Sequence, residues 1–301
     1  MKISVLGAGA MGCLFAGYLS KKNDVTLIDS YLPQVDAINK NGVKLIETDG
    51  SESVHKIKAV VSGEKNEKAE LLIVFVKNTV TYDALKENIG LIDSETVVLT
   101  LQNGMGNDEE IKKLVDENKI LIGTTKHNSV NLGGGTVRHG GAGKTAIGGE
   151  NKSKLKEVVD NFNECGIETE ASDSVKKLIW DKLFVNLSVN SCTALMDSHI
   201  GFITENKDMW EFAQGLIQEA VKVAKADCCE FDEEKVVSAV KHVCESDGAG
   251  IASMCQDRHR KIKTEIDHIN GAVVELGKKY GVETPLNYAM VKLIHAMEGT
   301  Y

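Results

Sequence analysis

The chain has 301 residues, with 35 Lys+Arg against 44 Asp+Glu and a formal charge of −9; that length carries a substantial core and suits two domains better than one. An acidic balance without a basic cluster argues against nucleic acid or an anionic membrane as partner, and favours a small ligand. No apolar stretch reaches ~18 residues and the start, MKISVLGAGAMG, lacks the charged and apolar regions of an export signal, so a cytoplasmic location is expected.

In chain order, KISVLG, DVTLID, LLIVFVK, TVVLTLQN and KILIGTT are short apolar runs separated by helical stretches. Continuous apolar runs, without in/out alternation, indicate a parallel sheet covered on both faces. GGGTVRHGGAGKTAIGG alternates around glycine-rich turns and predicts an antiparallel hairpin at the sheet edge; nearby, His127 and His139 are taken as structural. After about residue 172 helical periodicity takes over. In SMCQDRHRKIKTEIDHINGAVVELGKKYG, Ile262, Ile266, Ile269, Val273 and Leu276 recur at helical spacing, with Gly281 as C-cap; Thr284 and Pro285 then begin another helix. The expected fold is α/β: a Rossmann-type dinucleotide-binding domain over 1–171, then an all-helical substrate and catalytic domain over 172–301.

Gly7, Gly9, Ala10, Met11 and Gly12 lie in GAGAMG, residues 7–12, between the first strand and a helix. Such glycines permit a tight turn, close approach of a pyrophosphate and helix-on-strand packing, with phosphate at the helix N-terminus. The second strand ends in Asp29, placed to accept hydrogen bonds from ribose hydroxyls, which favours NADH over NADPH among the NAD(P)H cofactors. Lys21 and Lys22 read as solvated charges at a helix end.

WDKLFVNLSVN places Lys182, Asn186 and Asn190 four apart, with Thr193 on the same stripe, in an otherwise apolar segment. A buried lysine needs a partner or a purpose. The plain alternatives are a snorkelling lysine or a structural ion pair, and for Asn190 a bond to a neighbouring helix end. The seven cysteines form no C-x-x-C pair and no zinc-like Cys/His grouping, so free buried thiols and no metal are expected.

Through GAGAMG, LLIVFVK, LQNGMGN, GTTKHN, WDKLFVNLSVNSCTAL and SMCQDRHRKIKTEIDHINGAVVELGKKYGVETPLN, the chain resembles the ketopantoate reductases (2-dehydropantoate 2-reductases) over nearly its whole length. The resemblance implies reduction of a small 2-oxo acid by hydride from a nicotinamide, giving pantoate for pantothenate and coenzyme A synthesis. It assigns Lys182 the role of general acid and places Glu265 beside it, bonded to substrate. Asn186 is implied as a substrate-binding amide, with Asn190 on the same face. Ser253 is implied at the substrate carboxylate, Asn103 near both nicotinamide and substrate, and Lys77 at the mouth of the cofactor site. Two positions depart from the family pattern: Ile200 and Gly250 stand where asparagines help bind substrate, which leaves open a D-2-hydroxy acid dehydrogenase acting on another branched or aromatic 2-oxo acid. A non-catalytic nicotinamide-binding regulator is a third reading, opposed by the presence of Lys182, Asn186 and Glu265. A homodimer is left open.

Overall fold

A computed structural model of the chain describes residues 1–64 and 66–301, and the chain divides into two units: Met1–Gln102 with Asn107–Val175, and Asn103–Gly106 with Lys176–Tyr301. The first unit contains β1 (Lys2–Leu6), α1 (Ala10–Leu19), β2 (Asp24–Asp29), α2 (Leu32–Asn41), β3 (Val43–Ile46), β4 (Glu52–His55), β5 (Lys58–Val61), β6 (Leu71–Val74), α3 (Thr81–Glu87), β7 (Val97–Thr100), α4 (Asn107–Lys112), β8 (Ile120–Thr125), β9 (Asn128–Gly133), β10 (Thr136–Gly141), β11 (Thr145–Gly148), α5 (Lys152–Glu164) and β12 (Thr169–Ala171).

Eight strands form the main sheet in the order β12-β11-β8-β7-β6-β1-β2-β5. The five apolar runs are β1, β2, β6, β7 and β8, mutually parallel where they pair. Their side chains go alternately to two buried layers: Val5, Leu27, Ile73 and Leu99 to one, Leu6, Ile28, Val74 and Val98 to the other. Helices on both faces therefore leave no polar side to these strands, which is why they read as unbroken apolar runs. From β5 to β8 the order is that of a doubly wound dinucleotide fold, and its switch point lies between β1 and β6, where such sheets bind ligands at the carboxyl ends of the strands.

The expected edge hairpin is corrected. TVRHGG and TAIG are not partners: β10 pairs with β9 and with β3 in a separate four-stranded sheet ordered β4-β3-β10-β9, while β11 runs antiparallel to β8 inside the main sheet. Alternation identified strands but not partners. His127 and His139 stack across this region, with Nδ1 of His127 3.0 Å from Nε2 of His139 and Glu47 2.7 Å beyond.

The second unit is helical: α6 (Val175–Val185), α7 (Ser191–Met196), α8 (Phe202–Glu205), α9 (Lys207–Ala226), α10 (Glu233–Ser246), α11 (Ser253–His259), α12 (Asn270–Tyr280) and α13 (Pro285–Glu298). Trp180, Leu183, Phe184 and Leu187 sit in its core against α9 residues Ala213, Leu216 and Ala220. The stretch expected as one helix from residue 253 is interrupted: α11 stops at His259, Lys261 takes φ 53°, a short 3-10 turn covers Ile266–His268, and α12 begins at Asn270. Accordingly Ile266, Ile269 and Val273 are buried but Ile262 is exposed. Gly281 ends α12 at φ 71° and Pro285 opens α13, although Thr284 makes no side-chain capping bond. Among the described residues no helix is long and apolar enough to cross a membrane.

Candidate active site

The expected site residues fall into two sets, one in each unit. In the first unit, Gly7 turns the chain out of β1 at φ 106°, and a Cβ there would lie 2.8 Å from the backbone of Phe75, just beyond β6. At Gly12 a Cβ would collide with the Gly7 carbonyl oxygen at 1.8 Å, so only glycine lets α1 pack this close to the strand. Gly9 has open space where its side chain would be. It precedes α1, which has no side-chain N-cap and no acidic residue in its first turn, so the amides around Ala10 and Met11 are available to an anion.

Asp29 ends β2 and is oriented by two backbone amides: Ala8 N–H donates to Oδ2 at 2.7 Å and Tyr31 N–H to Oδ1 at 2.9 Å. A carboxylate has further lone pairs, so these bonds fix it without exhausting it as an acceptor. It lines a cavity of about 630 Å³ at the carboxyl ends of β1, β2 and β6, shared with Leu6, Ile28, Ser62, Val76 and Glu87. Lys77 follows β6 and precedes the 3-10 turn Asn78–Val80. Lys21 and Lys22 are engaged elsewhere: the Lys21 ammonium lies over the Tyr18 ring at 4.4 Å, and that of Lys22 is 3.5 Å from Glu164.

In the second unit, Lys182 is partly buried near the end of α6. Withdrawal of its ammonium from water pushes its pKa down to about 8, with the Glu265 carboxylate pulling the other way. Glu265 is not on a helix, as its charged surroundings suggested, but in the joint immediately before the Ile266–His268 turn. The loop carrying Asn103 is knit to that same turn: Met105 N–H donates to the His268 carbonyl at 2.9 Å, and Gly104, at φ 79°, passes so near this carbonyl that a Cβ would lie 2.4 Å from it.

The expected single helix through Lys182, Asn186 and Asn190 contains a π turn at Asn186–Asn190. The wider i→i+5 turn alters the angular spacing of the stripe. Asn190 Nδ2 donates to Asn186 Oδ1 at 3.2 Å and to Ser253 Oγ at 3.3 Å, which brings three of the expected residues together. Thr193 is corrected: its hydroxyl donates back to the Val189 carbonyl at 2.8 Å and is fully buried, so it leaves the stripe.

Sequence reasoning missed the polar support of this turn. Asn270, fully buried, donates to the Leu187 carbonyl at 3.0 Å and to Asn287 Oδ1 at 3.0 Å, and Asn287 Nδ2 donates to Glu219 Oε2 at 2.8 Å. It also missed Asp227, which accepts from Lys176, Trp180 and Tyr280 and so anchors the start of α6. Asparagines inside apolar runs, as in DHINGAVV and TPLNYAM, were the available signal. Ile200 and Gly250 are neighbours, the Ile200 amide donating to the Gly250 carbonyl at 2.9 Å.

A doubly wound sheet with a glycine turn and acidic strand end, joined to a helical unit bearing a desolvated amine beside a carboxylate and amides, defines a nicotinamide-dependent oxidoreductase. Residues 3–152 match the family profile described as ketopantoate reductase PanE/ApbA, and residues 174–298 match its C-terminal counterpart. The chain belongs to the ketopantoate reductase family of NAD(P)-dependent enzymes. It is 33% identical over 305 residues to the 2-dehydropantoate 2-reductase of Streptococcus pyogenes serotype M1, covering 99% of this chain and 98% of that one. The enzyme of the same name from Pyrococcus abyssi is 32% identical, with 99% of each chain covered. Among solved structures, D-mandelate dehydrogenase with NADH and anilino(oxo)acetate superposes with a TM-score of 0.94 at 31% identity, covering 100% and 99% of the two chains. A PanE/ApbA family ketopantoate reductase from Ralstonia eutropha gives 0.93 at 27%, with the same coverage.

Proposed function

We propose that the chain reduces the ketone of 2-dehydropantoate to pantoate, with residues 1–171 holding the dinucleotide and 172–301 supplying the substrate and catalytic groups. The observation that carries this reading is Lys182, an amine brought to about 8 by burial, acting against Glu265 in a member of this family. A bound nicotinamide supplies the hydride. As the carbonyl carbon accepts it, the bonding pair moves to oxygen, and the Lys182 ammonium stabilises that charge and transfers its proton to the oxygen. Glu265 keeps the amine protonated near neutral pH. Asn186, Asn190 and Ser253 bind the substrate, Ser253 at its carboxylate, and Asn103 orients the carbonyl beside the nicotinamide.

In the first unit, Gly7, Gly9, Ala10, Met11 and Gly12 receive the pyrophosphate, Asp29 takes the adenosine ribose hydroxyls, and Lys77 stands at the mouth of the site. Asp29 favours NADH. The open space at Gly9 and the cavity beside Asp29 fit these roles.

A second reading is favoured by Ile200 and Gly250, neighbouring positions that carry no side-chain amide where the family pattern has asparagines, and by the likeness to a D-mandelate dehydrogenase. Under it, the same residues reduce a branched or aromatic 2-oxo acid to a D-2-hydroxy acid. One steady-state panel separates the two: kcat/KM for 2-dehydropantoate should exceed that for phenylglyoxylate and branched 2-oxo acids with NADH. The reverse ranking selects the second reading, and lack of turnover on every member of the panel discards both.

A further inference from the structure

The sequence alone showed no zinc-like grouping, because Cys255 and His259 have no third Cys or His beside them in the chain, yet the second unit gathers a third ligand, Asp197. Asp197, Cys255 and His259 each bring a ligand atom within 4.8 Å of the other two. Cys255 and His259 are four apart on α11 and so share a face. Asp197 ends α7 in the left-handed region at φ 54°, a conformation that aspartate tolerates better than most side chains.

The distances suit one small ion. Cys255 Sγ is 3.8 Å from His259 Nε2 and 3.8 Å from Asp197 Oδ1, and Nε2 is 2.5 Å from that oxygen. Tetrahedral zinc, with bonds of about 2.3 Å to sulfur and about 2.0 Å to nitrogen and oxygen, requires edges of roughly 3.5 Å to sulfur and roughly 3.3 Å between nitrogen and oxygen. Two edges are thus close to their required length, and the third opens when an ion replaces the His259–Asp197 hydrogen bond. The Cys255 thiol donates to the same oxygen, so Asp197 Oδ1 gathers both of the other ligand groups, and their two hydrogen bonds give way to metal–ligand bonds when the ion enters. Arg258 leaves the ligand oxygen accessible: its Nη1 donates to the carbonyls of Ala194 and Leu195 at 2.6 and 2.9 Å, and its Nη2 lies 3.8 Å from the other carboxylate oxygen, Oδ2. Cys255 is buried, whereas Asp197 and His259 are exposed, giving a thiol floor with solvent entry.

We propose that Asp197, Cys255 and His259 form a mononuclear site for a borderline-soft divalent transition ion of the Zn²⁺ type, with water as fourth ligand. Binding forms metal–sulfur, metal–nitrogen and metal–oxygen bonds, releases the Cys255 proton to solvent and changes no oxidation state. The ion ties the end of α7 to the helix that begins at Ser253 and takes no part in hydride transfer.

The test uses the full chain, stripped with a chelator. Equilibrium dialysis should give one Zn²⁺ per chain, and Co²⁺ should give a thiolate charge-transfer band with the visible bands of a tetrahedral centre. Cys255→Ser should abolish the charge-transfer band. His259→Ala changes an exposed side chain and should fold normally; it should weaken binding by at least about tenfold, since loss of even outer-shell groups costs about 10–100-fold. Cys228→Ser, at an exposed thiol next to Cys229 and outside the trio, should alter neither signal. Binding unchanged in both Cys255→Ser and His259→Ala overturns the proposal, as does a band that disappears with Cys228→Ser, or no stoichiometric binding at micromolar metal.

Discussion

At the scale of single residues, Lys182 separates catalysis from packing because the two make opposite demands on it. Its pKa stands at about 8 because burial outweighs the pull of Glu265, so the fold disfavours the charged amine relative to water. A methionine of similar length relieves that cost while removing the acid. Lys182→Met should therefore lower kcat by about 10²- to 10⁴-fold, the range of lost general acid catalysis, and leave the Tm at neutral pH at or above that of the unaltered chain. A lysine held for a structural ion pair would behave otherwise, since breaking a buried pair costs about 3–5 kcal/mol. Full activity in a folded Lys182→Met protein would remove Lys182 from the mechanism.

The pH dependence follows with its sign. In the proposed mechanism reduction uses the ammonium, so kcat/KM for the 2-oxo acid should fall as pH rises through about 8, whereas oxidation of the hydroxy acid would use the neutral amine and should rise over the same interval. Stability moves too. The unfolded lysine titrates at its ordinary 10.5, so between about 8 and 10.5 the unfolded state binds more protons and this residue's contribution to stability increases with pH. Lys182 and Asn186 stand out in the sequence because polar groups at helical spacing in an apolar run call for a partner or a purpose. Glu265 was not legible from its own surroundings, where Lys261, Lys263 and Asp267 suggest a solvated face, and came forward only through the family resemblance.

At the scale of elements, the π turn at Asn186–Asn190 is what the sequence concealed. Side-chain spacing of four reads equally as α-helix whether or not one turn is widened, because nothing in the local composition marks i→i+5 bonding. Part of its support is local, the Ser191 hydroxyl donating to the Leu187 carbonyl, and part lies elsewhere in the chain: Asn270, on another helix, donates to the same carbonyl and is itself held by Asn287, which Glu219 holds in turn. Asn270→Ala leaves the Leu187 carbonyl and the Asn287 Oδ1 without this donor and should cost about 1–3 kcal/mol in urea unfolding. Because Asn186 and Asn190 sit on the turn it supports, KM for the 2-oxo acid should rise several-fold while the Kd for NADH, whose proposed pyrophosphate and ribose contacts lie in the first unit, stays unchanged. An unchanged KM would mean that the turn keeps its shape without Asn270. The small sheet was hidden for a related reason. β4, Glu52–His55, is mostly exposed and carries one large aliphatic side chain, Val54, so it has no apolar pattern to find.

At the scale of the whole molecule, the five main strands, the glycine turn and the change to helices were legible because burial on both faces of a sheet leaves an unmistakable apolar run. Partners and joints were not, since they depend on contacts distant in sequence. Charge, by contrast, is global and is read directly. The chain carries a net −9, and around Asp29 the described residues of the cavity wall add Asp83 and Glu87 as well as Lys86. NADPH differs from NADH by a phosphate of about −1.5 to −2 charge. With the dinucleotide bound as proposed, that group would meet both a general negative field and the Asp29 carboxylate, and the two parts can be measured separately. The general part is screened over about 10 Å at 0.1 M salt, so raising ionic strength from a few millimolar should lower the KM for NADPH more than that for NADH. The local part should persist. Asp29→Asn is the suitable variant, because an amide oxygen can still accept from the Ala8 amide that Asp29 now orients, whereas alanine would also release the glycine turn. The preference for NADH in kcat/KM should survive high salt in the unaltered chain and narrow by about tenfold or more in Asp29→Asn, as expected for removal of roughly 1.4 kcal/mol of charge repulsion and lost ribose bonding. A clear preference for NADPH in the unaltered chain, or a preference for NADH that Asp29→Asn leaves intact, would show that cofactor selection lies with other residues.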